Sequence, residues 1–303
     1  MTQLDLTSLD AVAGLVDSLP GFDASAAEGA RARQLTLTKP PASLGRLEEL
    51  AEFMAGWQAT PRPQVINAQA VVFAGNHGVC DQGVNPFPQA VTGQMVANFE
   101  AGGAAINQLC KVAGAALTAV PLDLDHPTRD FTTAPAMTEA ETLDAMRTGM
   151  EAVDSRADVL ILGEMGIGNS TVSAALACAL LGGDAGSWVG RGTGSDSAGM
   201  ARKAAVVARG VEMHRGLSPM QTLAALGGRE QAAICGAVLA ARQHCIPVLL
   251  DGYICTAAVT PLFAAAPGLL DHCLVGHASA EPGHKRLCDA FGHGTGQNAG
   301  YGR

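Results

Sequence analysis

The sequence is poor in aromatic and in basic side chains. Aromatic residues make up 4% of the 303 positions, and 19 lysines and arginines stand against 28 aspartates and glutamates, for a formal net charge of −9. Proteins that bind nucleic acid usually present a basic surface. The composition therefore argues against nucleic acid as a partner.

Signals for a membrane or for export are missing as well. A membrane-spanning helix needs roughly 18–20 apolar residues in a row, and even the long apolar stretch 232–250 is interrupted by Arg242, His244 and Pro247. The first residues, MTQLDLTSLD, are acidic where a signal peptide would be basic. We expect a cytoplasmic protein without a membrane span.

None of the eight cysteines belongs to a CxxC pair, and most lie in apolar surroundings, which is typical of reduced thiols in a protein core. Near the C-terminus, five potential metal ligands lie close together in the sequence: His272, Cys273, His277, Glu281 and His284. Their spacing matches no zinc pattern. We expect no metal site there.

Glycine, by contrast, is abundant, with 37 residues, and short apolar runs alternate with helical patterns. Strands are predicted at residues 70–74, 115–120, 159–162, 247–250 and 273–275. Helices are predicted at 43–57, 88–99, 104–112, 138–153, 169–181, 196–214, 230–242 and 253–265. Such alternation predicts an α/β fold: a parallel, Rossmann-like sheet with helices on both faces.

The most informative segment is VLILGEMGIGNST, residues 159–171. A buried strand leads into a glycine-rich turn and then into a polar helix start, which together favour an anion because the helix N-terminus has free N–H groups and a positive dipole end. The spacing is neither the dinucleotide GxGxxG nor a Walker A loop; a tight turn without a ligand is the structural alternative. The candidate phosphate ligands are Gly166, Gly168, Asn169, Ser170 and Thr171. Glu164, an acid beside this socket, points to another role.

Further candidates lie in other loops and on one helix. The loop Gly190-Arg191-Gly192-Thr193-Gly194 offers a cation and a hydroxyl for a phosphate or carboxylate, or is a surface turn. Lys203 follows on the next helix, where a lysine is usually solvated. His77, in a turn after a strand, suits ligand binding or proton transfer, or is a structural loop residue. Gln89 could present an amide to a heterocycle.

Eight segments in order make the sequence resemble one family. They are KPPASLGRLEELA, FAGNHGV, PQAVTGQMVANFEAGGAAIN, GEMGIGNST, VGRGTG, ALGGRE, PVLLDGYI and GHASAEPGH. The family is that of the nicotinate-nucleotide–dimethylbenzimidazole phosphoribosyltransferases, and the resemblance runs from about Lys39 to His284. It implies a homodimeric pentosyltransferase with a Rossmann-like sheet and a smaller helical domain, without a metal or a nicotinamide dinucleotide. We therefore expect residues 1–60 to form part of the small domain, 61–290 the catalytic core and 291–303 a divergent tail.

The resemblance also implies the reaction. In it, 5-phosphoribose passes from nicotinate mononucleotide to 5,6-dimethylbenzimidazole, giving α-ribazole 5′-phosphate and nicotinate, a step in assembling the lower nucleotide loop of cobalamin. Glu164 would stabilise positive charge on the ribose, and the socket residues would hold the 5′-phosphate with Lys203 and the 190–194 loop nearby. Gln89 matches the family's benzimidazole-pocket glutamine. Ser279 and Glu281 fall near the nicotinate end.

One family feature differs here. The benzimidazole must lose its N–H proton to a base, which in the family is a glutamate in a C-terminal RLGEG[ST]GA motif, whereas no glutamate follows Glu281. Either GHGTG at residues 292–296 replaces GEGTG, so that His293 becomes the base, or the tail from Gly292 is unrelated to the family. A protein that binds the nucleotide or the benzimidazole without turnover is therefore the alternative function, and another nucleotide enzyme is a third.

Overall fold

The computed structural model describes residue 4, residues 6–192 and residues 194–292. Its sheet has five strands, all paired in parallel, in the order β2-β1-β3-β4-β5. The strands are β1 (Ala68–Ala74), β2 (Ala115–Pro121), β3 (Val159–Met165), β4 (Val248–Leu250) and β5 (Cys273–Val275). The predicted parallel sheet is therefore confirmed.

Helices precede, connect and follow the strands. They are α1 (Ala24–Gln34), α2 (Arg46–Trp57), α3 (Ala90–Glu100), α4 (Ala105–Ala113), α5 (Glu139–Glu151), α6 (Asn169–Leu181), α7 (Ser197–Met213), α8 (Pro219–Leu226), α9 (Arg229–Gln243), α10 (Tyr253–Ala258), α11 (Thr260–Ala265) and α12 (Pro282–Ala290). Short 3₁₀ segments lie at Asp10–Asp17, Gly78–Gln82, Ala185–Ser187 and Pro267–Leu270. No helix in the described ranges is long and apolar enough to cross a membrane.

The centre of the sheet is buried on both faces. Val71, Val72, Phe73 and Ala74 are all buried although they are consecutive in β1, and successive strand side chains point to opposite faces. Helix α9 packs on β1 and β3, and α5 packs closely on α9. The central strands are therefore held by packing on both of their faces.

Two predicted helix starts are confirmed in atomic detail. Thr138 begins α5 with a capping box, since its hydroxyl accepts from Glu141 N–H and the Glu141 carboxylate accepts from Thr138 N–H at 2.7 Å. Asp196 caps α7 by accepting from Gly199 N–H at 2.7 Å.

The predicted end of the third strand was wrong. The sequence predicts a turn from residue 163 onwards, but Gly163, Glu164 and Met165 continue β3 because they keep pairing with residues 72–74 of β1. Glu164 therefore projects from the end of a rigid strand, which fixes its position better than a loop would.

The predicted helix over residues 253–265 was also wrong, because it is two helices, α10 and α11, that meet at Val259. Pro261 has no N–H to donate to Ala257, so a continuous helix would lose a hydrogen bond there. The predicted helices do not include α1, α8 or α12. Helix α1 buries only the alanines Ala26, Ala27 and Ala30, so it lacks the apolar stripe that marks a helix.

The N-terminal part packs on the rest of the chain. Leu6, Leu9 and Val12 belong to the main hydrophobic core, and α1 packs against α2. The proposed domain boundaries at residues 60 and 290 stay a prediction. Most of the proposed tail, residues 293–303, lies outside the described residues.

Candidate active site

A pocket of about 350 Å³ opens at the carboxyl ends of β3, β4 and β5. Because β2 and β3 flank β1 on opposite sides, the strand order reverses between β1 and β3, and ligands of open α/β sheets bind at such a reversal. The polar side chains that line the pocket include Asn85, Glu164, Asn169, Ser170, Lys203, Asp251, His277, Ser279 and Glu281, and Gly166, Gly168 and Gly192 contribute backbone.

The glycine turn after β3 forms one wall of the pocket. Gly168 has a φ of +93° and begins α6 without any side-chain cap. The N–H groups of Asn169 and Thr171 donate to the carbonyl oxygens of Gly166 and Gly168, which leaves the Ser170 N–H and the positive end of the helix dipole to favour an anion. A Cβ on Gly166 would lie 2.7 Å from the carbonyl oxygen of Gly75. Glycine is required at this position because the turn after β1 approaches so closely.

Lys203 faces this turn from α7. Its side chain is 3% exposed, and its Nζ lies 3.4 Å from the hydroxyl of Ser170. Burial lowers the pKa of Lys203, and the charge of Glu281 opposes that effect. Among the described residues, no carboxylate lies within 4.0 Å of this ammonium. An anion in the glycine turn would provide the partner that a buried cation needs.

Glu164 lies on the pocket wall at the end of β3. Loss of water raises its pKa to about 8, the charges of Glu230 and Asp251 add to that rise, and a hydrogen bond from the Asn169 amide opposes it. In the unliganded pocket the carboxyl therefore holds its proton at neutral pH. A cation beside it would favour release of that proton.

The opposite wall consists of loops after β4 and β5. His277 Nδ1 lies 3.1 Å from Asp251 Oδ1. Glu281 Oε1 accepts from the N–H of Gly192 at 2.9 Å, and this hydrogen bond joins the predicted 190–194 loop to the GHASAEPGH segment. Ser279 N–H donates to His284 Nδ1 at 2.7 Å. Burial lowers the pKa of His284 to about 4, which keeps its ring neutral for that bond.

The structure thus brings most predicted site residues together. Glu164, Gly166, Gly168, Asn169, Ser170, Gly192, Lys203, Ser279 and Glu281 all line the pocket. Sequence reasoning missed Asp251 as a site residue, although an Asp-Gly pair directly after a predicted strand was a signal for it.

Other predicted residues lie around the pocket without lining it. Thr171 is fully buried in the first turn of α6, whereas Arg191 and Gly194 are exposed. The side-chain oxygen of Gln89 accepts from the backbone N–H of His77 at 3.2 Å, and His77 itself is buried. Thr193 and His293 lie outside the described residues.

The C-terminal histidines and cysteine do not converge. His272 is buried against the carbonyl oxygen of Val238 and the ring of Trp57, and burial lowers its pKa to about 3. Within the described ranges, no three His, Cys, Asp or Glu side chains are arranged to hold a metal ion.

Comparison with known proteins identifies the family. A family model described as phosphoribosyltransferase matches residues 19–295. The nicotinate-nucleotide–dimethylbenzimidazole phosphoribosyltransferase of Rhodobacter capsulatus is 62% identical over 289 residues, 95% of this chain and 86% of that protein. The one from Ruegeria pomeroyi is 55% identical, over 95% of this chain and 85% of that protein. The chain belongs to this phosphoribosyltransferase family.

The fold of this phosphoribosyltransferase is also that of a solved relative. The nicotinate-nucleotide–dimethylbenzimidazole phosphoribosyltransferase of Thermus thermophilus superposes with a TM-score of 0.82 at 38% identity, covering 89% of this chain and 86% of that one. The phosphoribosyltransferase fold is therefore established independently of the site residues, whose individual roles rest on the geometry described above.

Proposed function

We propose that this phosphoribosyltransferase transfers 5-phosphoribose from nicotinate mononucleotide to 5,6-dimethylbenzimidazole, giving α-ribazole 5′-phosphate and nicotinate for the lower ligand of cobalamin. The names of its relatives support this assignment. The observation that carries it for this chain is the charge composition of the pocket. A buried lysine faces the glycine turn at the start of α6, and the carboxyl groups of Glu164, Asp251 and Glu281 line the same pocket.

The phosphate belongs in the glycine turn. Gly166, Gly168 and Ser170 present backbone and hydroxyl groups there. Lys203 adds a positive charge whose one hydrogen bond within the described residues is a long one, to Ser170. The combination suits a dianionic 5′-phosphate, since an ammonium and a helix dipole both favour negative charge.

The ribose and the pyridinium ring belong beside the carboxyl groups. The nitrogen of the nicotinate ring carries a positive charge, and charge moves onto the ribose as the glycosidic bond weakens. Glu164 on one wall and Asp251 on the other are placed to stabilise that charge. A benzimidazole nitrogen forms the new bond to C1′, and the electrons of the broken bond neutralise the departing pyridine nitrogen.

The benzimidazole belongs near Val84, Asn85 and Pro86, which line the pocket on the segment that leads to Gln89. The side-chain oxygen of Gln89 accepts from the N–H of His77, so the amide N–H groups of Gln89 remain available to a ligand. The acceptor must release a proton as it attacks, and His293 is the proposed base. Replacing His293 with Ala tests this role, and unchanged turnover would reject it.

We also propose that the protein is a homodimer and works in the cytoplasm. Edge strand β2 and its neighbour α4 leave an apolar surface, where Leu109 is 64% and Val112 88% exposed and Ala116 is exposed as well. Exposed apolar patches on soluble proteins usually mark a contact surface. All eight cysteines are free thiols, which fits a reducing compartment.

The test is turnover by the purified chain. Incubation with nicotinate mononucleotide and dimethylbenzimidazole should give equal amounts of nicotinate and a ribazole phosphate, resolved by chromatography and assigned as the α-anomer by proton NMR. Binding of nicotinate mononucleotide without either product would favour the non-catalytic alternative and overturn the proposal.

A further inference from the structure

Two ionisable side chains are buried directly behind the pocket. Glu230, in the first turn of α9, is 0% exposed, and His77, after β1, is 1% exposed, with His77 Nε2 3.0 Å from Glu230 Oε1. Acidic residues are almost never fully buried without a partner. In the described part of the chain, neither carboxylate oxygen and neither ring nitrogen has a well-aligned hydrogen bond. Such an arrangement is unfavourable for stability alone and points to a functional role.

Three glycines from three segments make room for this pair. A Cβ on Gly75 would lie 2.3 Å from Glu230 Oε2, and one on Gly228 would lie 2.3 Å from the His77 ring. A Cβ on Gly166, in the phosphate turn, would lie 3.0 Å from His77 Nε2. The ends of β1 and β3 and the start of α9 therefore enclose the pair, and any larger residue in these places would displace it.

The pair is also coupled to the site. Gly75 N–H donates to the carbonyl oxygen of Met165 at 3.0 Å, next to Glu164 in β3, so the turn that carries His77 is tied to the strand that carries Glu164. The negative charge of Glu230 is one cause of the raised pKa of Glu164.

We propose that Glu230 and His77 act as a positioning pair for Glu164, holding its strand end in place, while the buried carboxylate of Glu230 sets how readily the Glu164 carboxyl responds to a cationic ribose. The reference to ribose rests on the proposed function; the coupling between the carboxyl groups does not. While the pocket is empty, Glu230 favours the protonated Glu164, which avoids two close negative charges. When a cationic substrate enters, Glu164 releases its proton and faces the substrate as a carboxylate.

Several other groups act on Glu164 and must be considered in any test. Asp251 adds a negative charge from the end of β4, Asn169 donates a hydrogen bond from α6, and the thiol of Cys255 lies close enough on α10 for the two groups to interact. The other charged or titratable groups that line the same pocket are Lys203, Tyr253, His277 and Glu281.

The experiment is a carbon-13 NMR titration of side-chain carboxyl groups in the full chain labelled with glutamate, without substrate. The Glu164 signal is assigned by its loss in Glu164→Gln. It should titrate near pH 8 in the wild-type protein, and its midpoint should fall by about 0.5–1 pH unit in Glu230→Gln, because a nearby like charge is gone.

A purely structural role for Glu230 would alter melting temperature or turnover without moving this midpoint. Glu139→Gln is the control. Glu139 lies on α5, away from the pocket, where its carboxylate accepts from the N–H of Leu9, so its replacement should leave the Glu164 midpoint unchanged. If Glu230→Gln does not fold, the double variant Glu230→Gln/His77→Asn removes both members and leaves no lone buried charge; the midpoint should again fall.

Two results would overturn the proposal. One is a wild-type Glu164 midpoint in the usual carboxyl range, which requires no variant at all. The other is a midpoint unchanged in whichever charge-removing variant folds. Neither result depends on turnover, so a chain that fails to form α-ribazole phosphate would disprove the proposed function and leave this titration valid.

Discussion

Glu164 contributes an acidic group to the pocket, and Lys203 contributes a basic one. Each is held on a regular element, β3 or α7, and each has a pKa shifted towards its neutral form by burial. A ligand that carries a phosphate and a cationic sugar reverses both shifts at once, because it supplies each group with an opposite charge. The binding energy of the nucleotide thereby helps to stabilise charge at its reacting part.

The first prediction is a pH profile. Glu164 is protonated below about pH 8 in the free protein, so kcat/KM for nicotinate mononucleotide should rise with pH and level off above about 8. The substrate phosphate titrates separately, near pH ~6. In Glu164→Gln, kcat should fall on the order of 100-fold or more.

The rise near pH 8 should also disappear in Glu164→Gln. Glu212→Gln, a change at an exposed position on α7, serves as the control and should retain the wild-type profile. A wild-type profile that is flat between about pH 6.5 and 9 would contradict the role of Glu164.

The second prediction concerns the phosphate. Lys203→Met keeps the length of the side chain and removes the charge, so KM for nicotinate mononucleotide should rise on the order of 10- to 100-fold, the effect of losing one charged hydrogen bond. Lys111→Met, on the exposed surface of α4, should leave KM unchanged. Equal KM values in the Lys203 variant and the wild type would contradict the placement of the phosphate in this turn.

Residues such as Glu230 show the limit of sequence reasoning at this scale. A glutamate in the first turn of a helix is common because it complements the helix dipole, and it is usually solvated. Its burial depends on Gly75 and Gly228, which lie in other segments. By contrast, the candidates at 164–170 could be recognised because strand, turn and helix start are contiguous in the chain.

At the level of elements, α5 and α9 form the closest helix contact in the described structure. A Cβ on Gly236 would lie 1.9 Å from the carbonyl oxygen of Met146, and one on Gly149 would lie 1.8 Å from that of Ala233. Each helix thus uses a glycine to approach the backbone of the other. Because α9 also packs on β1 and β3, this contact supports the strand ends that carry the site.

The third prediction tests that contact. Gly236→Ala should lower the free energy of unfolding by about 3 kcal/mol, because the backbones must separate to accept the methyl group. Gly93→Ala is the matched control on α3, where a Cβ meets nothing within 4 Å; it should change stability by less than about 1 kcal/mol. Denaturant unfolding measures both, and similar values for the two variants would contradict the close packing.

Most strands were predictable from the sequence because short apolar runs buried on both faces have a distinct pattern. Boundaries were less predictable. The continuation of β3 through Gly163 depends on pairing with β1, which is a contact between distant segments. The break between α10 and α11 was visible as Pro261, whereas α1 is held by small alanines that give no periodic signal.

For the whole molecule, the exposed apolar surface on β2 and α4 is proposed as the contact with a second copy of the chain. The fourth prediction is that Leu109→Glu/Val112→Glu shifts the protein from dimer to monomer in sedimentation equilibrium, because two charges in an apolar contact are unfavourable. Leu35→Glu, also at an exposed apolar position, should leave the dimer intact. A monomeric wild-type protein would disprove the homodimer.

The central claim, that the pocket at the reversal of strand order binds a mononucleotide with its phosphate in the glycine turn, is tested most directly by a crystal structure of the complex with nicotinate mononucleotide. The account predicts phosphate oxygens within hydrogen-bond distance of Ser170 and Lys203 Nζ, and the ribose C1′ beside the carboxyl of Glu164. A nucleotide bound elsewhere, or bound with its phosphate against Asp251 and Glu281, would contradict it.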